Sequence, residues 1–273
     1  IESADDVRIV TKGAIDAVLE VCTRLGGGRP LDTAARAALH ARHDQWAGEG
    51  VRVLAIGVRT LPGTVSDPRA EERDLRFAGF LTFLDPPKVG VAGAIADLAR
   101  LGVSVKVITG DNGRVARHVA AQVGLRADRV LDGAHLRTMP DEALWHAAER
   151  VDLFVEVDPS QKERIVGALR KTGHVVGFLG DGVNDAPAMH AADVSLAVAH
   201  ATDVAREAAD FVLLERDLDV IRGGIEEGRH TFANTLKYVL TTTSANLGNM
   251  VSMAAASLFL PFLPLLASQI LLN

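Results

Sequence analysis

The chain has 273 residues, enough for one large domain or two of medium size. Hydrophobic residues make up 48% of it and aromatic residues only 4%, so its core must be built from Ala, Val, Leu and Ile, which suits helices packed on a parallel sheet. The net charge of -6 speaks against nucleic acid as the main partner, and the single cysteine, Cys22, excludes an intrachain disulfide and fits a reducing compartment. Following "AVLEV", Cys22 reads as a small buried apolar residue. No signal peptide is visible, and the first residue is Ile rather than Met, as expected of a chain cut from something longer.

The segment "VRIVTKGAIDAVLEVC" reads as a strand, a Lys-Gly turn and a helix. "DTAARAALHARHDQWAGEG" follows as a helix ending on Gly50, and "VRVLAIGVRTL" as a strand. The turn formers and charges of "PGTVSDPRAEERD" mark a loop or boundary. Strand and helix patterns then alternate from "FAGFLTFL" and "AGAIADLARLG" through "SVKVITG", "RVARHVAAQVG", "DLFVEV", "QKERIVGALRKTG", "HVVGFLG", "APAMHAA", "VSLAV" and "ATDVAREAA" to "DFVLL", which is the pattern of a doubly wound parallel sheet. From Leu218 a long helical pattern leads into residues 245–272, which contain no Asp, Glu, Lys or Arg. With Arg229, His230 and Lys237 before it, that run predicts one membrane crossing over about 240–260, a turn through "PFLP", and the start of a second crossing at about 265–273. Asn246, Asn249 and Ser252 fall on or near one helical face, where polar groups pack against other helices or line an ion path.

In such a sheet, ligands bind at the carboxyl ends of strands. Three stretches fall there. "VKVITGDN" ends a strand with Thr109, Gly110 and Asp111, a hydroxyl and backbone turn able to grip an anion. "EVDPSQKER" puts Lys162 in the first turn of a helix, where a cation opposes the macrodipole, so another interaction must hold it there. "GFLGDGVND" delivers Asp181 and Asp185 on a glycine turn, hard oxygen ligands suited to Mg2+ carrying a phosphate. Each piece alone is weak; together they supply an anion cradle, a neutralising cation and a metal site, the set that phosphoryl transfer needs. No Asp in the chain sits in a comparable strand-end setting as a nucleophile: Asp85 in "FLDPPK" comes closest, but two prolines follow it.

In order, "KGA", "LDPPK", "VITGD", "DPSQKERI" and "GDGVNDAPAM" resemble the P-type ATPases, cation pumps of the haloacid dehalogenase superfamily, over essentially the whole chain. The resemblance implies a haloacid dehalogenase-like α/β phosphorylation domain over 76–222, part of an α+β nucleotide-binding domain over 1–75, and a stalk and membrane segment over 223–273. It implies that Lys12 and Arg52 lie near ATP, with Asp85 on the hinge side. Thr109 and Gly110 then hold the phosphoryl group, Asp111 supports their loop, Lys162 neutralises an aspartyl phosphate, and Asp181, with Asn184 and Asp185, completes a Mg2+ site. It places the protein in the cell membrane as a multi-pass pump with cytoplasmic catalytic domains, its partners being ATP, the transported cation, lipid and the rest of the pump polypeptide.

The family's phosphorylated Asp-Lys-Thr-Gly-Thr motif occurs nowhere in the sequence. The chain thus resembles the carboxyl-side part of a pump, predicted inactive by itself. It is also predicted to be poorly stable, because the strand carrying that motif lies mid-sheet in the family. "TFANTLKY" and "FLPFLPLL" look most like the bacterial magnesium-transporting branch, whereas "AVAHATD" lacks the acidic-Gly pair expected near Ala199 and His200. A soluble phosphatase, or a non-catalytic phosphate- or nucleotide-binding membrane protein of the same superfamily, is the alternative; neither "KGA" nor the apolar run is needed by a soluble phosphatase.

Overall fold

The computed structural model describes residues 6–63, 65, 67, 69–126, 128–215 and 217–260. The chain divides into two units, Ile1–Arg216 and Asp217–Asn273.

The first unit opens with β1 (Asp6–Gly13), α1 (Ile15–Val21), β2 (Cys22–Arg24), α2 (Thr33–Gly48), β3 (Arg52–Pro62) and β4 (Leu75–Phe83). The strands form one sheet in the order β1-β3-β4-β2, antiparallel except where β2 joins β4. Alternation along the strands turns Ala55, Leu75 and Phe77 to one face, where Ile15, Val18, Leu19 and the buried Cys22 cover them. Asp32 caps α2 by accepting from the Ala35 N–H at 2.8 Å, and Gly50 takes the left-handed φ of 81° that lets the chain leave that helix. From α2, Arg36 donates to the carbonyls of Leu19 (2.7 Å) and Cys22 (3.0 Å), setting a cation against the carboxyl end of α1. β4 reads in the sequence as the first strand of the alternating run, yet its ladders are with β3 and β2, so the first sheet extends to Phe83.

The rest of this unit alternates. It runs α3 (Val91–Arg100), β5 (Val107–Ile108), α4 (Gly113–Gln122), β6 (Val130–Asp132), α5 (Gly133–Thr138), α6 (Asp141–Arg150) and β7 (Leu153–Val155), then α7 (Pro159–Lys171), β8 (Gly177–Gly180), α8 (Ala186–Ala191), β9 (Val194–Ala197), α9 (Asp203–Glu207) and β10 (Phe211–Val212). Every pairing is parallel, as the alternation predicts. The sequence reading passes over β6, α5 and α6, because Pro140 and charged residues break up their apolar pattern.

The parallel strands form two sheets of three, β5-β7-β6 and β10-β9-β8. Among the described residues, β5 pairs only with β7 and β8 only with β9, and this one-sided pairing makes β5 two residues long where seven were expected. Helix α7 joins the two halves. Its Ile165, Ala168 and Leu169 enter one core with Phe154 and Leu144, while Val166 enters the other with Phe178, Met189 and Ala197; Ile108 and Val176 touch both. Each fully buried Leu, Ile or Phe of these cores contributes on the order of 1.5–3 kcal/mol.

The described part of the second unit is built on α10 (Asp219–Phe259), 41 continuous residues, a rod of about 60 Å. It buries no side chain: Phe232, Tyr238, Leu247, Met250, Leu258 and Phe259 are all exposed. Contrary to the crossing expected over about 240–260, no helix among the described residues is long and apolar enough to span a membrane. The reason is composition, since Thr241, Thr242, Thr243, Ser244, Asn246, Asn249, Ser252 and Ser257 dilute the apolar residues of α10. The "PFLP" turn and the start of a second crossing lie outside the described residues.

The open edges of β5 and β8 carry a stability consequence. The 273-residue chain expressed by itself is expected to unfold below about 5 kcal/mol, the lower end for a folded domain, and to bind a dye that reports exposed apolar surface. A steep urea transition with no dye binding would contradict it.

Candidate functional site

The site is built from three strand ends. β5 stops at Ile108, and the Thr109 N–H donates to the Phe154 carbonyl at 2.9 Å, which extends the pairing by one residue before the chain turns. The Thr109 hydroxyl accepts from the Asp111 N–H at 3.0 Å and closes the turn, leaving its own proton to donate. Asn112 then caps α4, accepting from the Arg114 N–H at 2.9 Å.

After β7, Asp158 and Gln161 form a reciprocal capping box around Pro159 at the start of α7, which the spacing D-x-x-Q encodes. The box fixes Lys162 in the first turn. Gln161 is buried, and its amide also donates to the Gly133 carbonyl at 2.7 Å, anchoring this helix start to α5. Sequence reasoning missed Gln161 as a site element, although the capping signature was there to read.

After β8, the chain turns through Asp181 and Gly182 into a 3-10 turn, Val183–Asp185. Gly180 is required: a Cβ there would sit 2.8 Å from both the Asp185 Cβ and the Met189 sulfur. Asp185 is buried, and its Oδ2 accepts from the N–H groups of Asp181 (3.1 Å) and Gly182 (3.3 Å), while its Oδ1 accepts from the Lys162 ammonium at 2.6 Å. Lys162 and Asp185 side chains are 15% and 11% exposed, so their attraction is only partly screened. This is the interaction that holds Lys162 against the helix dipole. Burial works against ionisation of Asp185, but the Lys162 ammonium and the two turn N–H groups outweigh it and hold its carboxyl below the usual carboxylate range. Asp181 is exposed, and among the described residues its carboxylate has no hydrogen-bond or ionic partner.

Thr109, Asp111, Lys162, Asp181 and Asp185 line one cleft of about 390 Å³, together with Ile108 of β5 and Phe178 of β8. Asn184 is exposed on the adjoining turn, and Gly110 lies between two lining residues without lining the cleft itself. Lys12 pairs with Ile56, and Arg52 lies four residues from Ile56 on β3, so both point to the sheet face opposite α1 and α2, beside Leu54, Leu81 and Phe83. Arg52 reaches Asp111 at 2.6 Å and thereby joins that face to the Thr109–Asp111 turn. Asp85 is exposed on the loop after β4 and does not line the cleft. Among the described residues no three His, Cys, Asp or Glu side chains cluster to hold a metal unaided.

A parallel α/β unit with a lysine, a threonine turn and an aspartate-glycine turn converging at its strand ends has its polar groups where sheets of this class bind their ligands. The chain belongs to the haloacid dehalogenase-like hydrolase family, which matches residues 8–193. It is 44% identical, over all of its length, to the magnesium-transporting ATPase, P-type 1, of Escherichia coli K12 and to the protein of that name in Salmonella typhimurium LT2. It is 37% identical over 96% of its length to the probable cation-transporting ATPase F of Mycobacterium bovis. The chain spans 31% of the first two relatives and 30% of the third.

The depressed Asp185 pKa sets a pH dependence. Its ionised form adds stability above the unfolded pKa of roughly 3.9, and that contribution is lost as the pH falls through the lower folded value. Urea midpoints between pH 7 and 2 are therefore expected to decline more steeply at the acid end in wild type than in Asp185→Asn; parallel curves would remove the assignment. Lys162→Met, which leaves Asp185 without its cation, is expected to cost about 3 kcal/mol at pH 7, and Lys162→Met/Asp185→Leu to recover most of it. An additive double variant in the same denaturation assay would show the pair to be uncoupled.

Proposed function

We propose that this chain is the phosphate-handling part of an ATP-driven cation transporter of the P-type class, with Mg2+ as the transported ion. The observation that carries the reading is the convergence of Thr109, Lys162, Asp181 and Asp185 in one strand-end cleft, with the Lys162–Asp185 pair among its lining residues. The names of the relatives support the transport reading and the choice of ion. The apolar, uncovered surface of α10 agrees with a helix that continues toward a membrane or toward other helices.

In this reading ATP lies on the open face of the first sheet, with Lys12 and Arg52 as its cations. The terminal phosphoryl group is transferred to an aspartate carboxylate supplied from beyond these 273 residues, for which relatives of such length leave room. Thr109 donates its hydroxyl proton to a phosphoryl oxygen, and Gly110 lets the turn approach without a side chain. Asp111 supports that turn, its N–H donating to the Thr109 hydroxyl. Lys162 neutralises the charge of the aspartyl phosphate.

The donor set fits a resident Mg2+, which takes one or two carboxylates and completes its shell with phosphate and water. The open carboxylate of Asp181 is the first ligand. Asp185 has given Oδ2 to the turn and one site of Oδ1 to Lys162, so it contributes through the remaining lone pair and chiefly by fixing the turn, with the Asn184 amide alongside. When bound, the ion adds electrostatic stabilisation of the transferring phosphoryl group.

In the full-length gene product, Asp181→Asn is expected to reduce phosphoenzyme formed from radiolabelled ATP to background, whereas Asn249→Ala on α10 leaves phosphoenzyme intact and changes ion transport. Normal phosphoenzyme in the Asp181 variant rules out its metal role, and a wild-type protein that never incorporates phosphate rules out the reading.

A further inference from the structure

Two non-glycine residues among those described adopt a left-handed backbone, Asp74 and Glu156. Asp tolerates that region and Asp74 sits in an exposed turn; Glu does not favour it, and Glu156 follows directly on β7, facing the Thr109–Asp111 turn. With φ at 55°, the Glu156 N–H donates to the Asp111 carbonyl at 3.1 Å, and the next N–H, of Val157, donates to the Thr109 carbonyl at 3.2 Å. The side chain acts on the same segment: Oε1 of Glu156 accepts from the Gly113 N–H at 3.0 Å, the first free donor of α4. Three hydrogen bonds from two consecutive residues thus hold both ends of the turn and the start of the helix behind it. Room around the clamp is scarce. A Cβ on Gly133 would lie 2.2 Å from the Glu156 carbonyl oxygen, one on Gly113 would lie 3.2 Å from the Val155 side chain, and one on Gly110 would lie 3.4 Å from the Val157 carbonyl oxygen.

We propose that Glu156 is a positioning residue for the phosphate cleft, setting the depth of the Thr109–Asp111 turn against Lys162 through its strained backbone and its carboxylate. The inference rests on the phosphoryl-transfer reading for its kinetic consequence and on the clamp geometry alone for its structural one. Glu156 makes no contact with the cleft itself. It acts by keeping the Thr109 hydroxyl where a phosphoryl oxygen is to be met, and displacements of about 1 Å in such groups cost up to about 100-fold in rate.

The test uses the full-length gene product with Glu156→Ala, which keeps the strain and loses the acceptor, Glu156→Gln, which keeps an acceptor oxygen, and Glu156→Gly, which loses both. ATP hydrolysis is expected to show kcat about 10-fold lower in the Ala and Gly variants with KM for ATP within about twofold of wild type, and kcat restored to within about threefold in Gln. Amide hydrogen exchange is expected to speed up over residues 109–114 in Ala and Gly but not in Gln. Wild-type kcat in Ala, equal impairment of Ala and Gln, a loss confined to KM, or a lowered Tm with unchanged kcat per folded molecule overturns the proposal. If the wild-type protein hydrolyses no ATP, the functional reading fails by itself and Glu156 is judged on exchange: faster exchange in Ala than in Gln upholds the clamp, and equal exchange overturns it.

Discussion

The arrangement of the site depends on one ion pair. Lys162 stands in the first turn of α7, where the helix dipole disfavours a cation, and it is held there because Asp185 meets it at 2.6 Å from the turn after β8. Each supports the other: Asp185 is buried and gains a counter-charge from Lys162 beside its two turn N–H groups, and Lys162 gains a partner that offsets the helix dipole. The pair also crosses the divide between the two parallel sheets, since Lys162 follows β7 and Asp185 follows β8. Bringing those strand ends together is what gives the cleft its charge pattern.

The divide itself shapes the chemistry. Among the described residues β5 and β8 are each paired on one side only, and residues of these strands and beyond their carboxyl ends line a cleft with both apolar and charged side chains. Backbone turns position the residues that line it. Gly180 permits the close approach of Asp185, the Asp158–Gln161 box sets the start of α7, and Glu156 carries the turn after β5 from the neighbouring loop. Preorganisation of this kind, with each group fixed by a neighbour that does no chemistry, is how phosphoryl transfer is stabilised when there is little covalent work for the protein to do.

Much of this was legible in the chain. Strands and helices alternate after Phe83, α5 and α6 together forming one crossover, because parallel strands require crossover connections, and the positions of Thr109, Lys162 and Asp181 beyond strand ends follow from that alternation. The burial of Cys22 followed from its apolar context. Less legible was β4: its apolar residues suit either sheet, and only its antiparallel ladder with β3 assigns it to the first. The region of β6, α5 and α6 escaped because its short elements complete no long period. The run of residues 245–272 is uncharged, yet α10 over its described length falls short of a membrane span, because absence of charge is not the same as hydrophobicity when Thr, Ser and Asn occupy so many positions.

The sequence by itself determined which residue types stand at which strand ends, because period, turn formers and capping signatures are local and act within a few residues. The tertiary structure decided what those residues do to one another: that Lys162 is neutralised by Asp185, that Asp181 is left open, that Arg52 reaches Asp111 across 59 positions of chain, and that a glutamate takes a left-handed backbone to hold a distant turn. Such pairings join segments far apart in the chain, and their energies arise from burial and approach distance, quantities that exist only once the strands and helices have packed.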